Sequence, residues 1–110
     1  MIAAVRTLRL RAPLAEPIPT PYGAVSARDA LLVEVVDRDG AAGWGECGGP
    51  AGMADAAVCE LLAPLLIGAD PADVESLWNR MWVSLQPHGR RGAAVAALSG
   101  IDMALWDLRA

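Results

Sequence analysis

At 110 residues the chain has room for one domain and is far short of the roughly 250 residues of a TIM barrel. A net charge of −4, a sequence pI near 4.7 and a single adjacent cationic pair, Arg90 and Arg91, exclude nucleic acid as a partner, because phosphate neutralisation needs clustered cations. The longest apolar run, Leu61 to Ile67, is far below the roughly 18 residues of a membrane span, and Arg6 interrupts any signal-peptide core, so a soluble cytoplasmic protein with no membrane partner is expected.

The hydrophobic fraction is 55%, yet 22 residues are Ala, which thins the side-chain volume available to a core. In a chain without Phe, Trp44, Trp78, Trp82 and Trp106 are expected to supply much of the bulk. Cys47 and Cys59 read as reduced thiols rather than as a disulfide framework. Lysine is absent and His88 is the one histidine, so few side chains qualify as a general base near neutral pH.

Ile2 to Leu10 mixes apolar residues with Arg6 and Arg9 and predicts a first strand. Pro13 to Gly23 carries four prolines, at 13, 17, 19 and 21, and predicts an ordered loop of a length that tends to be functional. Ala30 to Asp37 alternates and predicts the second strand; Asp39-Gly40 marks a turn, and Ala41 to Cys47 returns as the third. These make a three-stranded antiparallel meander.

Past Gly48-Gly49-Pro50 the period changes. Val58, Leu61, Leu62 and Leu65 predict a helix that starts near Met53 to Asp55 and fails around Pro64. A second helix is punctuated by Asp70 as N-cap and Pro71 as first helical residue, with Val74, Leu77, Trp78, Met81, Trp82 and Leu85 facing inward. The third runs from about Arg90 to Leu108 with Val95, Leu98, Ile101, Leu105 and Leu108 on one face, and no Gly, Asn or Pro stops it, which predicts a chain cut short.

Several patterns invite a chemical reading. Gly43-Trp44-Gly45-Glu46-Cys47-Gly48 has the spacing of a dinucleotide fingerprint, but it sits on the return arm of a hairpin with Pro50 behind it, and Glu46 would face a pyrophosphate. Cys47, Cys59 and His88 lack the spacing of a metal site. Asp102 and Asp107 point about 140° apart on a helix, so they do not form a catalytic pair. Asp102 is expected to make a buried hydrogen bond or ion pair, and Asp107 a solvated or interface contact. Glu46, at a strand end, either accepts backbone hydrogen bonds in the following loop, the favoured role, or faces a pocket.

Taken together, Ile2 to Thr7, Leu32-Val33-Glu34-Val35 with Asp39-Gly40, Gly43-Trp44-Gly45-Glu46, Leu65 to Pro71 and Ala97 to Leu108 resemble, in order and spacing, the N-terminal domain of the mandelate racemase and muconate lactonising group of the enolase superfamily. Gly45 to Ala51 and Gly89-Arg90-Arg91-Gly92 look most like acid-sugar dehydratases and sugar-lactone cycloisomerases. The resemblance implies an α+β fold, a three-stranded meander on a three-helix bundle, spanning residues 1–110 and cut before a C-terminal barrel. It implies a Mg²⁺-dependent lyase or isomerase that removes the proton α to the carboxylate of a hydroxy- or sugar acid. The metal ligands and the base belong to the barrel, so no catalytic or metal-binding residue is expected in this chain, which is predicted to be inactive alone and to bind no Mg²⁺.

In this family the N-terminal domain lends two loops that close over the substrate. By position these are Glu16 to Gly23 and Gly48 to Met53, and Ile18, Thr20, Tyr22 and Pro50 are the expected substrate-facing residues. Tyr22 has a second role open to it, packing on the sheet. The implied partners are the barrel, a small carboxylate substrate and further subunits of a homo-oligomer. The alternative of another class is a free-standing binding or assembly module that keeps the capping fold.

Overall fold

Alternation at positions 31–36 builds the middle of the sheet. In the computed structural model, which describes residues 1–110, Leu31, Val33 and Val35 are buried while Leu32, Glu34 and Val36 lie on the opposite, half-open face. They belong to β2 (Gly23–Asp37), which pairs antiparallel with β1 (Ile2–Thr20) on one side and β3 (Ala42–Cys47) on the other. The inner face of this meander is covered by helices, giving the α+β fold expected.

The helical half runs α1 (Ala51–Ala56), a π-helical turn (Ala57–Leu62), α2 (Ala63–Leu66), α3 (Val74–Ser84), a 3₁₀ turn (Gln86–His88) and α4 (Ala93–Arg109). The first three pieces follow one another without a break, so the helix expected to fail at Pro64 continues to Leu66. Proline has no N–H to give and its ring crowds the carbonyl four residues back, here that of Glu60; the widened π turn ahead of Pro64 takes up that mismatch. The start of α3 also differs from expectation. Asp70 uses its carboxylate on the N–H of Ala72 (2.9 Å) in a local turn, and the helix begins only after Asp73.

The largest departure lies in the proline-rich stretch, which is strand rather than loop. Beyond Leu31, opposite which β3 ends at Cys47, β1 and β2 continue as a two-stranded arm to a turn at Pro21-Tyr22, with Thr20 opposite Gly23. Eight residues of β2, Gly23 to Ala30, extend about 26 Å at the usual strand rise. The arm accounts for a radius of gyration of 14.9 Å, where a chain of this length packed evenly has about 13 Å. An edge strand tolerates proline because its outward N–H groups are not needed for pairing, and β1 is an edge. Where the prolines crowd, Leu14 to Pro17 bulge opposite the single residue Ser26.

The core is aliphatic. It gathers Ile2, Leu31, Val33, Val35, Leu62, Leu66, Leu77, Met81, Leu85, Ile101 and Leu105 with several alanines, and none of the four tryptophans belongs to it. Trp44, Trp78 and Trp106 are 44%, 36% and 49% exposed, so Trp78 lies outside the inward face of α3, while the half-buried Trp82 packs against the edge of the core. Close backbone approach replaces aromatic bulk. A Cβ on Gly43 would collide with the Ala104 carbonyl, one on Gly45 with the Gly100 carbonyl, and one on Gly100 with the Cys47 sulfur. β3 and α4 therefore lie backbone against backbone, running in opposite directions. The glycines at 43 and 45 serve that contact, which is the physical reason for a spacing that imitates a nucleotide fingerprint.

No helix is long and apolar enough to cross a membrane.

Candidate functional site

The topology sends both expected loops to one end of the sheet. β3 runs antiparallel to α4, so the end of β3 at Cys47, the loop Gly48-Gly49-Pro50 and the start of α4 share one end; the arm of β1 and β2 projects past that same end. The opposite end is closed by Ile2, whose backbone exchanges hydrogen bonds with Gly68 and Ala69 (both 2.8 Å).

Ile18, Thr20 and Tyr22 sit together at the tip of the arm. Ile18 is 39% exposed and lies opposite Val25. The Thr20 hydroxyl donates to the Gly23 carbonyl and accepts from the Tyr22 N–H (3.3 Å), so it fastens the turn. Tyr22 is fully exposed, which rules out the packing role left open for it. Pro50, also exposed, precedes the first residue of α1 at the foot of the arm.

One side chain ties the arm to the second loop. Arg9, on the inner face of β1 opposite Leu31, reaches to α1, where its guanidinium stands 3.2 Å from the place a Cβ on Gly52 would occupy. Arg11, one rung further out on that face, pairs loosely with Asp29 (4.0 Å). The largest cleft, about 550 Å³, opens one turn into α1 and is walled by Met53, Glu60, His88 and Arg91 over alanines 57 and 93. Met53 ends the second loop named from the sequence, whereas sequence reasoning did not place Arg9 or Arg91 here. The available signal was the proximity of the lone histidine to an arginine pair.

The carboxylates resolve differently from expectation. Asp107 accepts a hydrogen bond from the backbone N–H of Trp44 (2.8 Å), an edge-strand donor with no strand beyond it, and so anchors α4 to β3 rather than serving solvent. Glu46 lies on the outer sheet face opposite Leu32, exposed, and its carboxylate accepts no bond from the following loop. Asp102 has neither the hydrogen bond nor the ion pair expected of it, and burial alone pushes its carboxyl above the usual range. Asp37 is held below that range by the N-terminal ammonium, 2.6 Å away, and by the Arg38 N–H.

The thiols are separate and free. Burial against α4 pushes Cys47 up to about 11, while Cys59, exposed, is raised by burial and by donating to Asp55 (3.4 Å). No three of the His, Cys, Asp and Glu side chains converge in a way that would hold a metal ion.

The sequence model of the mandelate racemase / muconate lactonizing enzyme N-terminal domain matches residues 2–110. The D-galactarolactone cycloisomerase of Agrobacterium fabrum is 43% identical over 108 residues, covering 98% of this chain and 28% of that protein. The 3,6-anhydro-alpha-L-galactonate cycloisomerase of Streptomyces coelicolor is 38% identical over 114 residues, covering 99% of this chain and 31% of that protein. A racemase crystal structure from Streptomyces coelicolor with bound magnesium superposes with a TM-score of 0.91 at 34% identity, covering 99% of this chain and 32% of that one. The chain thus spans about a third of the length of these relatives, which carry a larger C-terminal part.

Proposed function

Because the chain belongs to the mandelate racemase / muconate lactonizing enzyme N-terminal domain family of the enolase superfamily, we propose that it is the capping domain of a sugar-acid cycloisomerase or dehydratase. Its task is to close a substrate pocket whose chemistry is done by a C-terminal barrel. One observation carries this reading: the arm and the Gly48 to Met53 loop project from the same end of the sheet, so one surface laid across that end meets both.

The chain's own residues supply binding and water exclusion. Ile18 and Tyr22 offer exposed apolar surface at the arm tip, Thr20 sets the turn that presents them, and Pro50 stiffens the entry to α1. Five of the nine arginines, Arg9, Arg11, Arg28, Arg90 and Arg91, belong to this end together with His88, which suits an anionic substrate in a chain that is acidic as a whole. Magnesium is bound in the racemase relative, and in this reading its ligands lie in the C-terminal barrel rather than in this chain.

The test is a domain exchange in which this chain replaces the N-terminal domain of the Agrobacterium galactarolactone cycloisomerase. We expect lactone turnover by the chimera, with changes at Tyr22 or Ile18 raising KM more than they lower kcat. A folded chimera of native assembly state with no turnover would overturn the capping assignment, and stable monomers of the free chain would count against an independent assembly module.

A further inference from the structure

The outer sides of α3 and α4 form a groove remote from the sheet. Glu75, Trp78 and Trp82 recur along α3 at helical spacing, as do Asp102 and Trp106 along α4. Between them opens a cleft of about 230 Å³ lined by Val74, Glu75, Trp78, Asp102 and Trp106. Asp102 is half-buried there with no cation or donor beside it, and its raised carboxyl reports the same lack of compensation. Leaving a desolvated carboxylate without a partner is costly, and exposed indole rings beside it restrict what can relieve the cost.

The chain shows which group these rings accept. The Arg90 guanidinium lies over the Trp82 ring at 4.6 Å, and that of Arg109 over the Trp106 ring at 5.4 Å. Trp82 in turn stacks on Trp78 with centroids 5.3 Å apart. Guanidinium groups of the chain thus occupy both ends of the aromatic row, and neither pairs with Asp102.

We propose that the slot over Asp102 docks an arginine side chain of the larger domain that follows in the full-length enzyme, its plane against the Trp78 and Trp106 rings and its two N–H groups on the carboxylate. This rests on the capping reading. A guanidinium satisfies both walls and floor at once, whereas an ammonium lacks the flat face and the paired donors. Relatives continue past the position of Ala110, four residues and roughly 6 Å along the helix from Trp106, so the following segment meets the slot at high effective concentration. Occupation by a second copy of the chain would instead show as a concentration-dependent dimer.

The probe is N-acetyl-arginine-N-methylamide, with the uncharged citrulline counterpart as control, titrated into the 110-residue chain while the indole N–H signals are followed by NMR. The expected result is a saturable shift of Trp78 and Trp106, at least about tenfold weaker for citrulline and about fivefold weaker in Asp102→Asn. Trp78→Ala should remove the response at Trp106 as well. Equal response to both probes, no saturable response, full affinity in Asp102→Asn, or a concentration-dependent dimer abolished by Trp78→Ala would each overturn the proposal. None of these readouts requires turnover, so their failure is separate from failure of the chimera.

Discussion

Replacing Gly45 by Ala should destabilise this domain strongly, because the added methyl has no room between β3 and α4. The new Cβ would collide with the Gly100 carbonyl and stand 2.9 Å from the Ala104 nitrogen and 3.0 Å from the Gly100 carbonyl carbon. Every one of these neighbours is backbone, so no rotamer change relieves the overlap and α4 must lift from β3. Overpacking of this kind costs about 1–3 kcal/mol. A lift of roughly 1 Å also forfeits a quarter to a half of the dispersion well for atoms along the contact, including those of Leu98, Ile101 and Leu105. Against this, Gly to Ala recovers only about 0.4–1 kcal/mol from the unfolded chain. With the lost dispersion added to the overlap, the net is a loss of about 2 kcal/mol. With a urea m-value of about 2 kcal/mol/M, the midpoint should fall by about 1 M. Gly100→Ala is the control. Its worst overlap is with the Cys47 sulfur, a side chain, and a helical glycine gains about 1 kcal/mol of propensity on becoming alanine. It should cost less, and Cys47→Ala should relieve Gly100→Ala but not Gly45→Ala, with a coupling above about 0.5 kcal/mol. Equal stability of Gly45→Ala and the parent, or a larger loss in Gly100→Ala, would refute the backbone-contact account.

Removing the Asp107 carboxylate with Asp107→Ala should cost about 1–2 kcal/mol in urea unfolding by leaving the Trp44 N–H without its acceptor, and exchange of that amide should quicken in hydrogen-exchange NMR. Thiol reagents near neutral pH should modify Cys59 and spare Cys47 until the protein unfolds, as mass spectrometry would show. Cys47 has a folded value near 11 against an ordinary 9.0, so its contribution is fully present below pH 9.0 and fades as pH rises through 11. The chain has no lysine and one exposed tyrosine, so alkaline denaturation curves should separate Cys47→Ala from the parent in that window. For Asp37 the sign is opposite: its depressed value contributes above the ordinary 3.8 and is lost as pH falls through the folded value, so Asp37→Asn should flatten the acid limb of the stability profile.

Much of this architecture was legible because its signals are local. Alternation at 31–36, Asp39-Gly40 and the helical period of 93–109 each name an element without reference to the rest of the chain. The arm was hidden because proline is read as an absence of ladder donors, and only the sheet order shows that β1 is an edge that can spare them. The tryptophans misled for a related reason. Volume argues for burial, but glycines and alanines on β3 and α4 bring the backbones so close that no space remains for an indole. Asp107 and Asp102 sit on one helix with similar sequence surroundings, and their different environments depend on β3 and α3, which no spacing rule records. At the site, the arm tip and Pro50 were placed by resemblance, whereas Arg9 and the cleft near His88 and Arg91 arise from contacts between distant segments.

The arm stands apart from the packed core. Its side chains from Arg11 to Asp29 are exposed or half-buried and none enters the core, so its composition is decoupled from what holds the domain together. Its length, however, is quantised. An odd insertion in either strand would turn every later side chain to the other face, while an even one preserves the pattern, and the bulge opposite Ser26 is the place where a mismatch between strands is already tolerated. The rung joining Pro13 to Ala27 is therefore a natural graft junction: arms exchanged there in steps of two residues would leave the packing of the core in place.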